Sequence, residues 1–256
     1  MLLKITLKNK SWNDMAKSQK SELTQKSTAK LPSKLKISDS QSMHSLENQF
    51  LIAMPALGDP YFNKTVTYIC EHNEDGAMGL IINLPVNITL SDLLKQIDPE
   101  DNEQSDNRGK TSNSGLSNKS KSIGLTDNSL TDITNSLEQL VLTGGPIAQQ
   151  RGFVLHSSQT GWSSSLVLNK ELMITTSKDI LMALGTEKAP AQFMVTLGYA
   201  GWGPGQLEQE LQANSWLTTP ADSDILFNTP IELRWKKATE KLGIDLAHLS
   251  SDVGHA

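Results

Sequence analysis

A chain of 256 residues with formal net charge −5 is long enough for one large domain or two small ones. Its one cysteine, Cys70, excludes an intramolecular disulfide framework and suits a reducing compartment. No stretch approaches the roughly 18 apolar residues of a membrane-spanning helix, and the lysine-interrupted start MLLKITLKNK lacks a signal-peptide core, so a cytoplasmic protein with no membrane partner is expected.

Charge is spread unevenly. Residues 1–44 hold nine Lys against Asp14, Glu22 and Asp39, a net +6, which leaves −11 for the remainder. Met1–Ser42 is rich in Ser, Lys, Thr and Gln, and it cannot bury enough apolar surface to offset its ordering entropy. Residues 1–44 are therefore expected to be a disordered basic tail, lying upstream of the natural start if translation begins at Met43. Direct DNA binding by the acidic core is not expected, because affinity for phosphate backbones comes largely from Lys and Arg.

Asn48–Pro85 reads as three strands and two turns. Phe50–Met54 is a short apolar run stopped by Pro55, which cannot donate to a ladder. Leu57-Gly58-Asp59-Pro60 is turn chemistry. Thr65–Cys70 alternates, with Val66, Tyr68 and Cys70 on one face and Thr65, Thr67 and Ile69 on the other. Gly76 closes a loop where positive φ is available, and Ala77–Asn83 is apolar enough for a strand buried on both faces. Leu90, Leu93, Leu94 and Ile97 then fall at helical spacing behind Thr89 or Ser91 as cap, and Asp98-Pro99 ends the helix.

The span 100–136 is low in complexity. Of residues 101–136, 25 are Ser, Thr, Asn, Asp or Gly, and only Leu116, Ile123, Leu125, Leu130 and Ile133 are aliphatic. A structureless loop this long inside a compact domain reads as a disordered insert. The fold can tolerate it, since closure entropy grows only logarithmically with length.

Strands resume at Gln139–Thr143, Gly152–His156, Ser165–Leu168, Glu171–Thr175 and Gln192–Leu197. Ser177 is placed to cap a helix through Leu184, Gly203-Pro204 opens another, and Thr229-Pro230-Ile231-Glu232 reads as a capping box for the last. Strands dominate early and helices interleave later, which argues α+β over a doubly wound sheet. The expected core is Phe50, Ile52, Val66, Tyr68, Ile81, Val141, Val154, Val195 and Trp235.

Gly144-Gly145-Pro146 with Arg151 is the leading candidate ligand site, because glycines let backbone N–H groups approach an anion and arginine offers a bidentate fork. A tight turn between strands is the structural alternative. His156, at a strand end, completes the candidate set Gly144, Gly145, Arg151 and His156. Gly201–Gly205 precedes a helix but lacks the dinucleotide spacing. Glu71, His72, Glu74 and Asp75 cluster without a metal-ligand pattern. Cys70 and His72 lie two apart, so on a regular strand they would share a face and could pair as nucleophile and base. With no G-x-S-x-G elbow and no helix-turn-helix, no catalytic residue, metal or cofactor is expected.

FLIAMPALGDP, YICEHNEDGAMGLIINLP, LTGGP at Leu142–Pro146, RGFVLH at Arg151–His156, TTSKDIL at Thr175–Leu181 and LGYAGWGPGQLEQEL at Leu197–Leu211 occur in one order. Together they resemble the YqgE/AlgH family of bacterial proteins, from Ser45 to Ala256 around the insert. The resemblance implies an α+β fold, with a bifurcated, mostly antiparallel sheet rolled into a pseudo-barrel with flanking helices. One branch is named for an effect on alginate gene regulation and has no established biochemical activity. The function implied is non-enzymatic: an uncharacterised cytoplasmic protein acting in transcriptional regulation through an unidentified protein partner. The alternatives are a small-molecule or anion-binding domain with hydrolase-like activity, using the four candidate residues, and nucleic-acid binding through the Lys-rich tail.

Overall fold

Apolar runs punctuated by Gly, Asn and Pro become strands, and ten of them join one sheet in the computed structural model, which describes residues 45–54, 59, 61–97 and 133–243. The basic tail, most of the Leu57–Pro60 turn, residues 98–132 of the insert region and residues 244–256 lie outside the described residues. β1 (Gln49–Ala53), β2 (Val66–Asn73) and β3 (Gly76–Ile81) form an antiparallel meander. β4 (Pro85–Thr89) pairs with β5 (Leu140–Thr143). β6 (Ile147–Ser157), β7 (Ser165–Val167), β8 (Leu172–Thr175), β9 (Phe193–Trp202) and β10 (Trp216–Pro220) complete the order β10-β1-β2-β3-β9-β6-β8-β7. Every pairing is antiparallel except that of β5 with β9. The result is an α+β fold with a curled sheet.

The sheet forks at β9. One edge of β9 carries β6, from Ile147↔Tyr199 to His156↔Phe193. The other edge carries β5 at Thr196 and Leu197, then β3 from Ala200 to Trp202. Gly144, just past β5, stitches the crotch: its N–H donates to the Leu197 carbonyl at 2.8 Å, and its own carbonyl accepts the Ile81 N–H at 2.8 Å.

Three apolar clusters use both faces of the sheet. The curl encloses Phe50, Tyr68, Leu80, Phe153, Leu155 and Ile174, closed by Ala238 of the last helix. A second cluster sits under two helices, α1 (Leu90–Ile97) and α2 (Lys178–Ala183), against Val141, Val154, Val195 and Leu197. α3 (Gln206–Gln212) covers the third with Leu207, against Leu51, Ile69, Trp202 and Trp216. Of the expected core only Trp235, on α4 (Arg234–Lys241), is half-buried. Its indole N–H donates to the Ala53 carbonyl at 3.4 Å and Lys64 Nζ lies 5.7 Å over the ring, so the ring rests on the rim of the curl.

Local expectations fail where tertiary partners decide. β4 and β10 are strands that alternation did not announce, and β9 runs on to Trp202. Residues 133–137 form a helical turn, although composition placed 133–136 in the insert. Leu137 packs on the second cluster and occupies the space a side chain at Gly185 would need, 2.7 Å from such a Cβ, so the domain resumes by residue 133. The capping box over Thr229–Glu232 does not form. Pro230 precedes a short 3₁₀ turn, Ile231–Leu233, without a side-chain cap. The buried Arg234 guanidinium instead donates to the carbonyls of Thr229 and Ile82, tying α4 to the end of β3.

Candidate functional site

The four residues expected to line an anion site are carried to β9 along its two opposite edges. Gly144 and Gly145 are buried against β9: a Cβ at Gly144 would lie 2.2 Å from the Gly198 carbonyl oxygen, and one at Gly145 2.0 Å from the Tyr199 carbonyl carbon. Their missing side chains admit backbone, and the Gly144 N–H is already donated to Leu197. Arg151 precedes Gly152, which pairs with Leu197 across the opposite edge of β9. His156 is four register positions farther along, opposite Phe193, or about 13 Å at the usual strand rise.

His156 is 0 % exposed. Its Nδ1 lies 2.8 Å from the Ser157 carbonyl, so Nδ1 carries a hydrogen and donates. Burial pushes its pKa down against the raising effect of that carbonyl, leaving it below the ordinary histidine value. The ring is thus neutral at pH 7, and Nε2 accepts from Thr175 Oγ1 at 2.9 Å. Thr175, also 0 % exposed, in turn takes the hydroxyl hydrogen of exposed Ser165 at 2.7 Å. Pairing of β8 with β6 and of β7 with β8 brings these three residues together.

Around the N-terminus of α2, Asp179 Oδ2 accepts the Ser163 N–H and hydroxyl at 2.8 and 2.7 Å, and Oδ1 accepts the Ile180 N–H at 2.8 Å. Ser177 donates to the same carboxylate and its hydroxyl oxygen accepts no N–H of the helix, so it does not act as the expected cap. Partial burial pushes the Asp179 carboxyl up, but these hydrogen bonds outweigh it and hold it below the usual carboxylate value. Beside this cluster opens an apolar cavity of about 690 Å³, lined among others by Ile133, Trp162, Met182, Ala183 and Lys188. Met182 is 39 % exposed, and the Trp162 indole N–H is buried without a hydrogen-bond partner. An adjoining hollow of about 440 Å³ runs past Gln139, Gly185, Phe193 and Phe227. Sequence reasoning missed Trp162, gave Asp179 only a place in the first turn of a helix and saw no base for Ser163–Ser165; the lone aromatic in a Gly/Ser stretch was the available signal.

The histidine of the acidic cluster has a structural partner. His72 Nδ1 accepts the Leu46 N–H at 3.0 Å, which leaves Nε2–H to donate to Glu208 of α3 at 2.7 Å. A β-bulge between Ile69 and Glu71 breaks the alternation of β2. Cys70 therefore enters the curl while His72 turns toward α3, and the conceived Cys–His pair does not form. Burial raises the Cys70 thiol pKa far above its ordinary value, leaving it an unreactive thiol. Among the described residues, no group of three or more His, Cys, Asp or Glu is placed to hold a metal ion, and no helix is long and apolar enough to cross a membrane.

The profile of a family described as AlgH-like matches residues 50–247. A UPF0301 protein of Colwellia psychrerythraea is 81 % identical over 215 residues, covering 84 % of this chain and 100 % of the relative. One from Pseudoalteromonas translucida is 50 % identical over 214 residues, again covering 84 % of this chain and 100 % of the relative. Among solved structures, the solution structure of the AlgH protein from Pseudomonas aeruginosa is 39 % identical, with TM-score 0.59, covering 87 % of this chain and 100 % of that one. A crystal structure from Corynebacterium diphtheriae, 18 % identical with TM-score 0.53, covers 81 % of this chain and 93 % of that one and shares the fold alone. By profile, by relatives matched along their whole length and by the forked, curled sheet, this chain belongs to the AlgH-like family of UPF0301 proteins.

Proposed function

We propose that the protein works in the cytoplasm by binding rather than by turnover, and that it influences transcription through a protein partner docked in the groove beside α2. The regulatory part rests on the family resemblance. The docking part rests on one observation: an apolar groove of about 690 Å³ is lined by Trp162, Ala183 and Met182, the last of these 39 % exposed. A partner's peptide segment would bury an apolar side chain against Met182 and so remove that surface from water. The expected occupant is thus a short apolar peptide segment of another protein.

A photo-crosslinker placed at Met182 in cells identifies that protein, and the purified pair is then measured by calorimetry. Met182 is partly exposed, so Met182→Lys should leave the fold intact and weaken binding at least tenfold by placing a charge in the groove. Unchanged affinity in Met182→Lys would refute the groove as the docking site. The anion-binding alternative draws no support from geometry, since its four residues lie on both edges of β9.

A further inference from the structure

Three hydroxyl and imidazole groups form a directed chain from the surface to a buried base. Because Nδ1–H of His156 is committed to the Ser157 carbonyl, the neutral ring presents Nε2 only as an acceptor. Thr175 must then donate to Nε2, and with its proton so used it accepts from Ser165. Every proton in the chain points inward. Ser165 is exposed, whereas Thr175 and His156 are both 0 % exposed. The Ser165 Oγ also lies 3.5 Å from the carbonyl oxygen of Trp162, one of the residues that line the apolar groove.

We propose that Ser165 is an acyl-acceptor site, taking one acyl group from an aryl ester or thioester with its proton drawn inward through Thr175 to His156. In the step, Ser165 Oγ bonds to the acyl carbon and the bond from that carbon to the aryl oxygen or the sulfur breaks. The Ser165 proton passes to Thr175 Oγ1 as the Thr175 proton passes to His156 Nε2. As the tetrahedral carbon collapses, the proton returns by the same path, from His156 Nε2 to Thr175 Oγ1 and from Thr175 to the departing oxygen or sulfur, so the leaving group departs as the phenol or thiol and the imidazole is neutral again.

Donor class follows from the loop chemistry. The N–H groups of Ser163 and Ser164 are taken by Asp179 and by the Ser177 hydroxyl. Those amides are not available to stabilise an oxyanion, so an unactivated amide is beyond reach while a donor with a good leaving group is not. The product is stable. Once acylated, Oγ has no hydrogen, and the chain contacts that linked the surface to the base are broken. A hydrolytic water finds no base, and the reaction stops at one equivalent, which is compatible with a binding protein that carries a covalent mark.

The test uses the full chain with p-nitrophenyl acetate. The expected result is a single burst of p-nitrophenolate equal to one equivalent, with one acetyl group mapped by mass spectrometry to Ser165. Ser165→Ala should abolish the burst. Thr175→Val, which keeps shape but removes the relay hydroxyl, should slow acetylation at least tenfold, and Thr175→Ser should restore it. The rate should climb with pH as the imidazole loses its proton and level off by neutrality, a profile absent in His156→Gln. Acetyl groups found only on lysines, or a Thr175→Val rate within twofold of the parent, would overturn the proposal. Thr175→Ser guards against misreading a folding defect, since it returns the hydroxyl without the methyl.

Discussion

Replacing Gly144 with alanine would set a methyl carbon 2.2 Å from the Gly198 carbonyl oxygen and 2.8 Å from Thr196 Oγ1. Close C···O contacts in proteins sit near about 3.3 Å or beyond, so the end of β5 must retreat from β9 by about 1 Å. Gly198 cannot readily yield, because it holds φ +74° and a Cβ there would itself meet the Gly145 carbonyl oxygen at 2.6 Å. Overpacking of a filled interior costs about 1–3 kcal/mol. The retreat also stretches two backbone hydrogen bonds, Gly144 N–H to Leu197 O and Ile81 N–H to Gly144 O, both 2.8 Å, each worth about 1 kcal/mol net. The expected loss is about 3–5 kcal/mol. Urea unfolding measures it: with a slope of about 2–3 kcal/mol/M, the midpoint should fall by about 1–2.5 M at unchanged slope. Gly152→Ala is the control, since its new methyl meets nothing closer than Leu181 Cδ1 at 3.8 Å. If Gly144→Ala unfolds within about 0.5 kcal/mol of Gly152→Ala, the glycine is not wedged at the fork, and an open backbone cradle becomes tenable again.

His156 makes stability depend on pH. Its folded pKa lies below the ordinary 6.5, so between the two values the unfolded chain binds a proton that the folded chain does not. Stability is therefore full above 6.5 and falls as pH drops through that window, approaching a slope of about 1.4 kcal/mol per pH unit. Urea midpoints from pH 7 to 5 should show this slope reduced in His156→Gln, and equal slopes would refute the assignment. Trp235→Ala should cost about 2 kcal/mol, less than the roughly 3–5 kcal/mol of a fully buried ring, because Trp235 is half-buried on the rim. A loss above about 4 kcal/mol in the same titration would place it in the core.

The elements legible in the sequence are those whose signal is local. The Val66–Cys70 alternation announces β2, and helical spacing from Leu90 to Ile97 announces α1, because each periodicity is carried by chain neighbours. Thr89 then caps as expected: the Asp92 N–H donates to its Oγ1 at 3.2 Å, while the Thr89 N–H donates to the Asp92 carboxylate. Eight of the nine expected core residues are buried for the same reason. β10 was not legible. Its WLTTP segment is short and ends in proline, and it is a strand because Gln49–Ala53 offers it a ladder from far along the chain. The bulge that parts Cys70 from His72 likewise belongs to the pairing of β2 with β3.

Candidate sites divide the same way. A missing side chain at Gly144 and Gly145 suits an anion or a crossing backbone equally well, and residue type does not distinguish them. The approach of Gly198 and Tyr199 decides for backbone. The chain from Ser165 through Thr175 to His156 exists because three strands pair in one register, which no single stretch encodes. Composition and periodicity determined which residues go inside and which segments are strand or helix, since burial of apolar surface is largely a local choice of face. Tertiary structure alone decided which glycines touch backbone, which histidine meets which hydroxyl and where a groove opens, since those contacts join residues that only the folded sheet brings within hydrogen-bond reach.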